Sequence, residues 1–215
     1  MSNVAVLPER KPFALFSDEE AVFYPDLARV LEATGRRFEY IDKSTLRDGG
    51  LEKFSTLIVP GGYTLKLLEN LNGRSRQIIS RFVEEGGGYL GVCMGAYLAS
   101  EMGLVRSSAI RVSGEFIVEL IVVRPTHPVM RGYSGSVRMS YQNGPEIVVS
   151  NPDIALAVFL NGRAAIIASS LGDGKVVLFS SHPERSRSNW KMIENALDYL
   201  AKEPPVNREF PLESE

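Results

Sequence analysis

The stretch Tyr89-Leu90-Gly91-Val92-Cys93-Met94-Gly95-Ala96-Tyr97-Leu98-Ala99-Ser100 runs an apolar strand directly into a helix-like segment, with glycine two residues before and two after the only cysteine. A chain can turn from buried strand to helix this sharply only where the flanking positions carry no Cβ, and the apex side chain is then left exposed. The pattern predicts a nucleophile elbow at Cys93. A lone cysteine is often just a small buried hydrophobe. With 19 glycines in 215 residues, however, chance places glycine on both flanks of a single cysteine only roughly once in a hundred chains.

The residues before the elbow alternate between strand and helix signals. Phe13-Ala14-Leu15-Phe16 reads as a strand, Ser17-Asp18-Glu19-Glu20 has the form of a capping box, and Pro25 opens a helix with Leu27, Val30 and Leu31 on one face. Gly35 stops that helix, and Phe38 to Ile41 and Thr56 to Val59 follow as strands. Ile78, Ile79, Phe82 and Val83 mark another helix, which Gly86-Gly87-Gly88 ends. This is the pattern of a parallel sheet with helical crossovers.

After the elbow helix the texture becomes antiparallel. Phe116 to Val123 and Glu146 to Val149 are strand-like, with turn chemistry between them. Asn161-Gly162 and Asp173-Gly174 separate three further apolar runs, as in consecutive hairpins, and Trp190, Ala196, Leu197 and Leu200 mark a closing helix. The expected fold is α/β in three layers, with a mainly parallel central sheet and antiparallel strands in the C-terminal half.

A chain of 215 residues, 44% hydrophobic, is expected to form a single domain over 1–215, with a lead over 1–11 and a tail over 203–215 loosely held. The formal charge of −2 is dispersed, which gives no electrostatic reason for nucleic acid or anionic membrane as a partner. One cysteine cannot form an internal disulfide, Met-Ser-Asn-Val lacks the order of a signal peptide, and no apolar run approaches spanning length. A cytoplasmic protein is expected, with a small-molecule amide or ligand as partner and room for a protein partner.

A thiol nucleophile needs a base, a group that orients the base, and donors for the oxyanion. His182-Pro183-Glu184 follows the apolar run Val176 to Phe179, and in an extended segment residues two apart point the same way, so Glu184 can orient the His182 ring. On its own the triplet reads more readily as an ordinary surface contact, and the elbow reverses that preference. Val59-Pro60-Gly61-Gly62-Tyr63 ends a strand at the edge where open parallel sheets carry ligands. The amides of Gly62 and Met94 are the candidates for the oxyanion hole, with Gly61 and Tyr63 beside the substrate.

Pro60-Gly61-Gly62, the elbow and His182-Pro183-Glu184, in this order and on these elements, resemble the class I glutamine amidotransferase superfamily. Within it, Cys93-Met94-Gly95-Ala96-Tyr97-Leu98-Ala99-Ser100, Thr126-His127-Pro128, Tyr141-Gln142-Asn143-Gly144-Pro145 and Phe179-Ser180-Ser181-His182-Pro183-Glu184 look most like the biotin-protein ligase N-terminal-type domain. The resemblance implies a flavodoxin-like sheet and a triad of Cys93 as nucleophile, His182 as base and then acid, and Glu184 orienting it. It implies amide hydrolysis, acting on a carboxamide or γ-glutamyl-type amide, with the helix after Cys93 favouring the thiolate. It also puts Tyr141 and Asn143 at the pocket rim, where the residues alone suggest a turn at Asn143-Gly144-Pro145.

Ala96 departs from the pattern, standing where amidotransferases commonly carry glutamine or histidine, and neither an acceptor nor a biotinylating domain is expected in the residues up to Glu215. A non-catalytic ligand-binding or regulatory module is the alternative these departures motivate. A peptidase reading is weaker, because Met94 stands where related peptidases carry histidine. His127 lacks metal-ligand spacing, Gly86-Gly87-Gly88 lacks the lysine of a phosphate loop, and neither metal nor cofactor is expected. Arg185 and Arg187 follow the triad as surface charges or as contacts for a substrate carboxylate.

Overall fold

The protein was analysed as a computed structural model, which describes residues 11–201. The expected lead, Lys11 apart, and the tail over 203–215 lie outside the described residues. The chain runs through β1 (Phe13–Phe16), α1 (Tyr24–Ala33), β2 (Phe38–Ile41), α2 (Lys43–Asp48), β3 (Thr56–Val59), α3 (Thr64–Asn70), α4 (Gly73–Glu84), β4 (Gly88–Val92) and α5 (Met94–Glu101). It continues through β5 (Ser107–Arg111), β6 (Glu115–Val122), β7 (Ser136–Gln142), β8 (Pro145–Val149), β9 (Ala155–Val158), β10 (Ala164–Leu171), β11 (Gly174–Phe179) and α6 (Arg187–Leu200).

The strands lie in the order β2-β1-β3-β4-β11-β10-β9-β6-β7, with β5 and β8 branching from β10. Pairing is parallel from β2 through β1, β3 and β4 to β11, and antiparallel beyond. Strand alternation sorts the core into two layers. Phe13 and Leu15 face α1 and α6, with Leu27, Leu31, Ile193 and Leu197, whereas Ala14 and Phe16 face α2 to α5, with Leu46, Leu67 and Ile79. The result is the expected three-layer α/β architecture of the flavodoxin-like kind.

Several local features differ from the sequence reading. Ser17 to Glu20 caps no helix: α1 starts at Tyr24, and the Glu20 carboxylate is buried with Lys43 Nζ and Asn70 Nδ2, each 2.7 Å from Oε1. The segment between β6 and β8 holds a strand, β7, as well as turns. The β10–β11 turn is centred on Gly172-Asp173, because Leu171 pairs with Gly174 and Gly172 takes the left-handed φ of +57°. The carboxyl ends of β1, β3, β4 and β11 share one edge, since these strands are parallel neighbours. That edge carries the loops containing Glu20, Gly62, Cys93 and His182.

A Cβ on Gly95 would fall onto the carbonyl oxygen of Val59, whereas one on Gly73 meets open space. Gly95→Ala is expected to lower the melting temperature by roughly 5–10 °C, as a forced backbone shift costing about 2–3 kcal/mol does in a chain of this size. Gly73→Ala should leave it within about 2 °C, since the substitution adds a helix-favouring residue without a clash. Thermal unfolding followed by circular dichroism checks both, and equal melting temperatures for the two variants would contradict the packing argument.

Candidate active site

Cys93 sits at φ +50°, ψ −98°, a backbone conformation that side-chain-bearing residues rarely adopt. Such strain persists only where the surroundings over-determine it. Here β4 is locked into the sheet up to Val92, and Cys93 N–H donates to the Phe179 carbonyl at 2.8 Å. A Cβ on Gly91 would lie 2.7 Å from the Gly95 carbonyl, and the Tyr89 hydroxyl donates to that carbonyl at 2.8 Å. Neither flanking glycine has a positive φ; both are required for close backbone approach. The elbow therefore forms as the glycine spacing predicts.

The thiol is less open than an elbow apex suggests. Cys93 is 4% exposed, and Sγ donates to the Gln142 carbonyl at 3.4 Å. The reason is tertiary: β7 and the turn after it close over the elbow, leaving the sulfur on the floor of a cleft of about 860 Å³.

His182 follows β11 with its backbone N–H donated to Ser140 of β7 at 2.7 Å. Pro183 to Arg185 form one turn of 3₁₀ helix, so the extended spacing expected for this triplet is replaced by a turn. The turn still brings Glu184 Oε1 to 2.6 Å from His182 Nδ1. Trp190 Nε1–H donates to the Glu184 carbonyl at 2.8 Å and pins the turn to α6. Both side chains are fully buried, and His182 Nε2 and Glu184 Oε2 have no hydrogen-bond partner.

The ring and the thiol meet across Gly61. A Cβ there would lie 2.7 Å from His182 Cε1, 2.8 Å from Phe23 Cδ2 and 3.4 Å from Cys93 Cβ. Phe23 packs edge-on to the imidazole at a centroid distance of 5.2 Å and shields it from water. Burial opposes charge on the ring, but the Glu184 carboxylate and the nearby sulfur outweigh it and push the His182 pKa up to about 10.

The loop Gly61-Gly62-Tyr63 is clamped from below. Tyr63 N–H donates to the Glu20 carbonyl at 2.9 Å, Phe23 N–H to the Gly61 carbonyl at 3.1 Å, and a Cβ on Gly62 would fall onto the Glu20 carbonyl. The Met94 N–H opens α5, where a helix has no acceptor of its own. Gly62, Tyr63, Cys93 and Asn143 all line the cleft. Asn143 takes φ +53° and its side-chain oxygen accepts from Gly114 N–H at 2.9 Å, which holds it at the rim.

Tyr141 stands elsewhere than the rim. It is 1% exposed, stacked on Phe116, with its hydroxyl 2.6 Å from the Gly144 carbonyl and 3.0 Å from that of Val112. Strand alternation sends Tyr141 inward and its neighbour Gln142 to the cleft wall. Arg185 lies over the Phe23 ring at 4.4 Å and near Asp26 and Glu115, outside the cleft. His127 accepts from Val129 N–H at 3.3 Å and packs on Tyr199. Among the described residues, no group of three His, Cys, Asp or Glu side chains is placed to hold a metal ion, and no helix is long and apolar enough to cross a membrane.

Gln142, Tyr97 and Arg111 line the cleft without having been singled out from the sequence. Tyr97 was within reach, since four residues after Cys93 on a helix it shares the face of the nucleophile. Arg111 had no such signal. It belongs to a short, largely exposed strand with no apolar alternation.

Residues 25–115 match the sequence model of the family described as biotin-protein ligase, N terminal. A biotin–protein ligase of Schizosaccharomyces pombe is 25% identical over 186 residues, covering 72% of this chain and 30% of the ligase. The chain thus spans about a third of the length of that relative. PurLQS of Thermotoga maritima superposes with a TM-score of 0.72 at 21% identity, over 88% of this chain and 99% of the matched chain. A glutamine amidotransferase of the same organism superposes with a TM-score of 0.61 at 15% identity, over 92% of this chain and 88% of that one. The chain is therefore similar to the biotin-protein ligase N-terminal family in sequence and has the fold of the class I glutamine amidotransferase-like proteins.

Proposed function

We propose that this site hydrolyses a carboxamide or γ-glutamyl-type amide through Cys93, His182 and Glu184. The observation that carries the reading is the strained elbow at Cys93, held within one glycine's width of an imidazole whose Nδ1 is engaged by a buried carboxylate. A structural cysteine needs neither the strain nor the oriented base.

In this reading the Cys93 thiolate attacks the amide carbon, forming a C–S bond, and the amides of Gly62 and Met94 receive the oxyanion. Protonated His182 gives its Nε2 proton to the leaving nitrogen as the C–N bond breaks and ammonia departs. His182 then takes a proton from water, whose oxygen attacks the thioester; the C–S bond breaks, and carboxylate and thiol are released. Glu184 keeps Nδ1 protonated and offsets the ring's charge throughout. The Gln142 side-chain oxygen, buried and without a partner, is available to accept from the substrate amide N–H.

A second reading is a binding module that holds a ligand in the same cleft and communicates it to a protein partner, as in a biotin-dependent system. The match to the ligase N-terminal family favours it, because residues 25–115 include the elbow and end before His182 and Glu184. Ligand-induced thermal stabilisation that survives Cys93→Ala, with no turnover, is its signature.

A panel of amides, glutamine included, assayed for ammonia is expected to contain a substrate turned over by the wild type. Cys93→Ser should abolish release, and His182→Ala should lower kcat by about 10²–10⁴. Turnover unchanged in Cys93→Ser would end the amidase reading. Stability carries a separate sign. A histidine whose folded pKa is raised from 6.5 to about 10 contributes fully below pH 6.5 and loses its contribution as pH rises through about 10. Urea unfolding should therefore show stability falling across that window in the wild type, and a flatter profile in Glu184→Gln.

A further inference from the structure

The cleft above Cys93 is uneven in charge. Its lining includes two cations, Lys66 and Arg111, and among the described residues no acidic side chain. Lys66 is neutralised by Glu19, 2.9 Å from its Nζ. Arg111 has no ion pair and no side-chain hydrogen bond among the described residues; its contact is the ring of Tyr97, 6.0 Å from the centroid. Tyr97 in turn is fixed to the elbow, with its N–H donated to the Cys93 carbonyl at 3.1 Å and its hydroxyl to the Asn143 carbonyl at 3.2 Å. The ring nearest the guanidinium thus belongs to the nucleophile's own helix.

Val22, Tyr63 and Leu65 also line the cleft, 43%, 62% and 57% exposed, beside Thr64 and the Lys66 already paired with Glu19, so they offer an apolar surface to a ligand. An unpaired guanidinium near a ring and lining an acid-free cleft is suited to a planar carboxylate, which it meets with paired donors.

We propose that Arg111 is a specificity-determining residue, and that the compound reacting at Cys93 carries a carboxylate that docks on it while its apolar portion lies against Val22, Tyr63 and Leu65. This deepens the amidase reading and rests on it for the chemistry at the sulfur.

The chain's only cysteine is its own reporter. Modification of Cys93 is compared for 5,5′-dithiobis(2-nitrobenzoate), which carries carboxylates, and neutral 4,4′-dithiodipyridine. Each rate is normalised to that of a free thiol in the same buffer. The wild type should favour the carboxylate reagent, Arg111→Gln should lower the ratio about tenfold, the loss expected for a charge-assisted contact, and Arg111→Lys should retain part of it. The ratio should also fall as salt is raised.

A ratio unchanged in Arg111→Gln, with both reagents still reacting, overturns the assignment of Arg111 and leaves the amidase reading to its own test. A thiol that neither reagent reaches in the folded wild type, yet both reach in urea, is closed to the cleft and overturns both. Arg111 is exposed on a short strand, and the wild-type salt dependence tests the same contact without substitution.

Discussion

The contact on which the site depends is between backbones: Gly95 pressed against the carbonyl of Val59. It seats the first turn of α5 directly on the end of β3, and Tyr89 closes the turn by donating to the Gly95 carbonyl at 2.8 Å. With both sides of the elbow fixed, Cys93 has no route to a relaxed dihedral and remains at φ +50°. The cost of that conformation, about 1–3 kcal/mol, is carried by the packing of two core layers whose strands β3, β4 and β11 are almost wholly buried.

Around that contact the chain buries polar groups that a core normally excludes. His182 and Glu184 lie at 0% and 1% exposure, and Glu20 at 0% with Lys43 and Asn70 on its carboxylate. Taking such charges from water is costly unless each is paired. Pairing is incomplete at the cleft itself: His182 Nε2 and the Gln142 side-chain oxygen are left without partners, while the Glu20 backbone holds the Gly61-Gly62-Tyr63 loop in place. Two of the buried polar atoms without partners thus belong to residues around the sulfur, where a ligand can take up that capacity.

Much of this was legible from the residues. Apolar spacing in Leu27, Val30 and Leu31 marked the face of α1 that is fully buried, and the apolar run Tyr89-Leu90 before Cys93 marked the strand that is β4. Other parts were obscured for identifiable reasons. Helices α2 and α3 span 6 and 7 residues, too short to display a period. Strand β7 alternates Val137, Met139 and Tyr141 inward, yet lies between Gly135 and Asn143, whose turn chemistry hides it. Strand β5 has no buried face and is defined by its pairing with β8.

By itself, the sequence determined the elbow and the identity of the side chains flanking it, because glycine spacing and apolar periodicity are constraints that act within a few residues. It also placed histidine and glutamate two apart, although the turn that joins them at 2.6 Å, in place of an extended segment, was not legible from it. Tertiary structure alone decided that Cys93 would lie on a cleft floor, that Gln142 rather than Tyr141 would face it, and that Arg111 would reach it. Those outcomes come from β5, β7 and β11, which follow the elbow later in the chain and arrive at it only in the folded sheet. The side-chain alternation of a strand is local, but which of its two faces meets the cleft is set only when the sheet assembles.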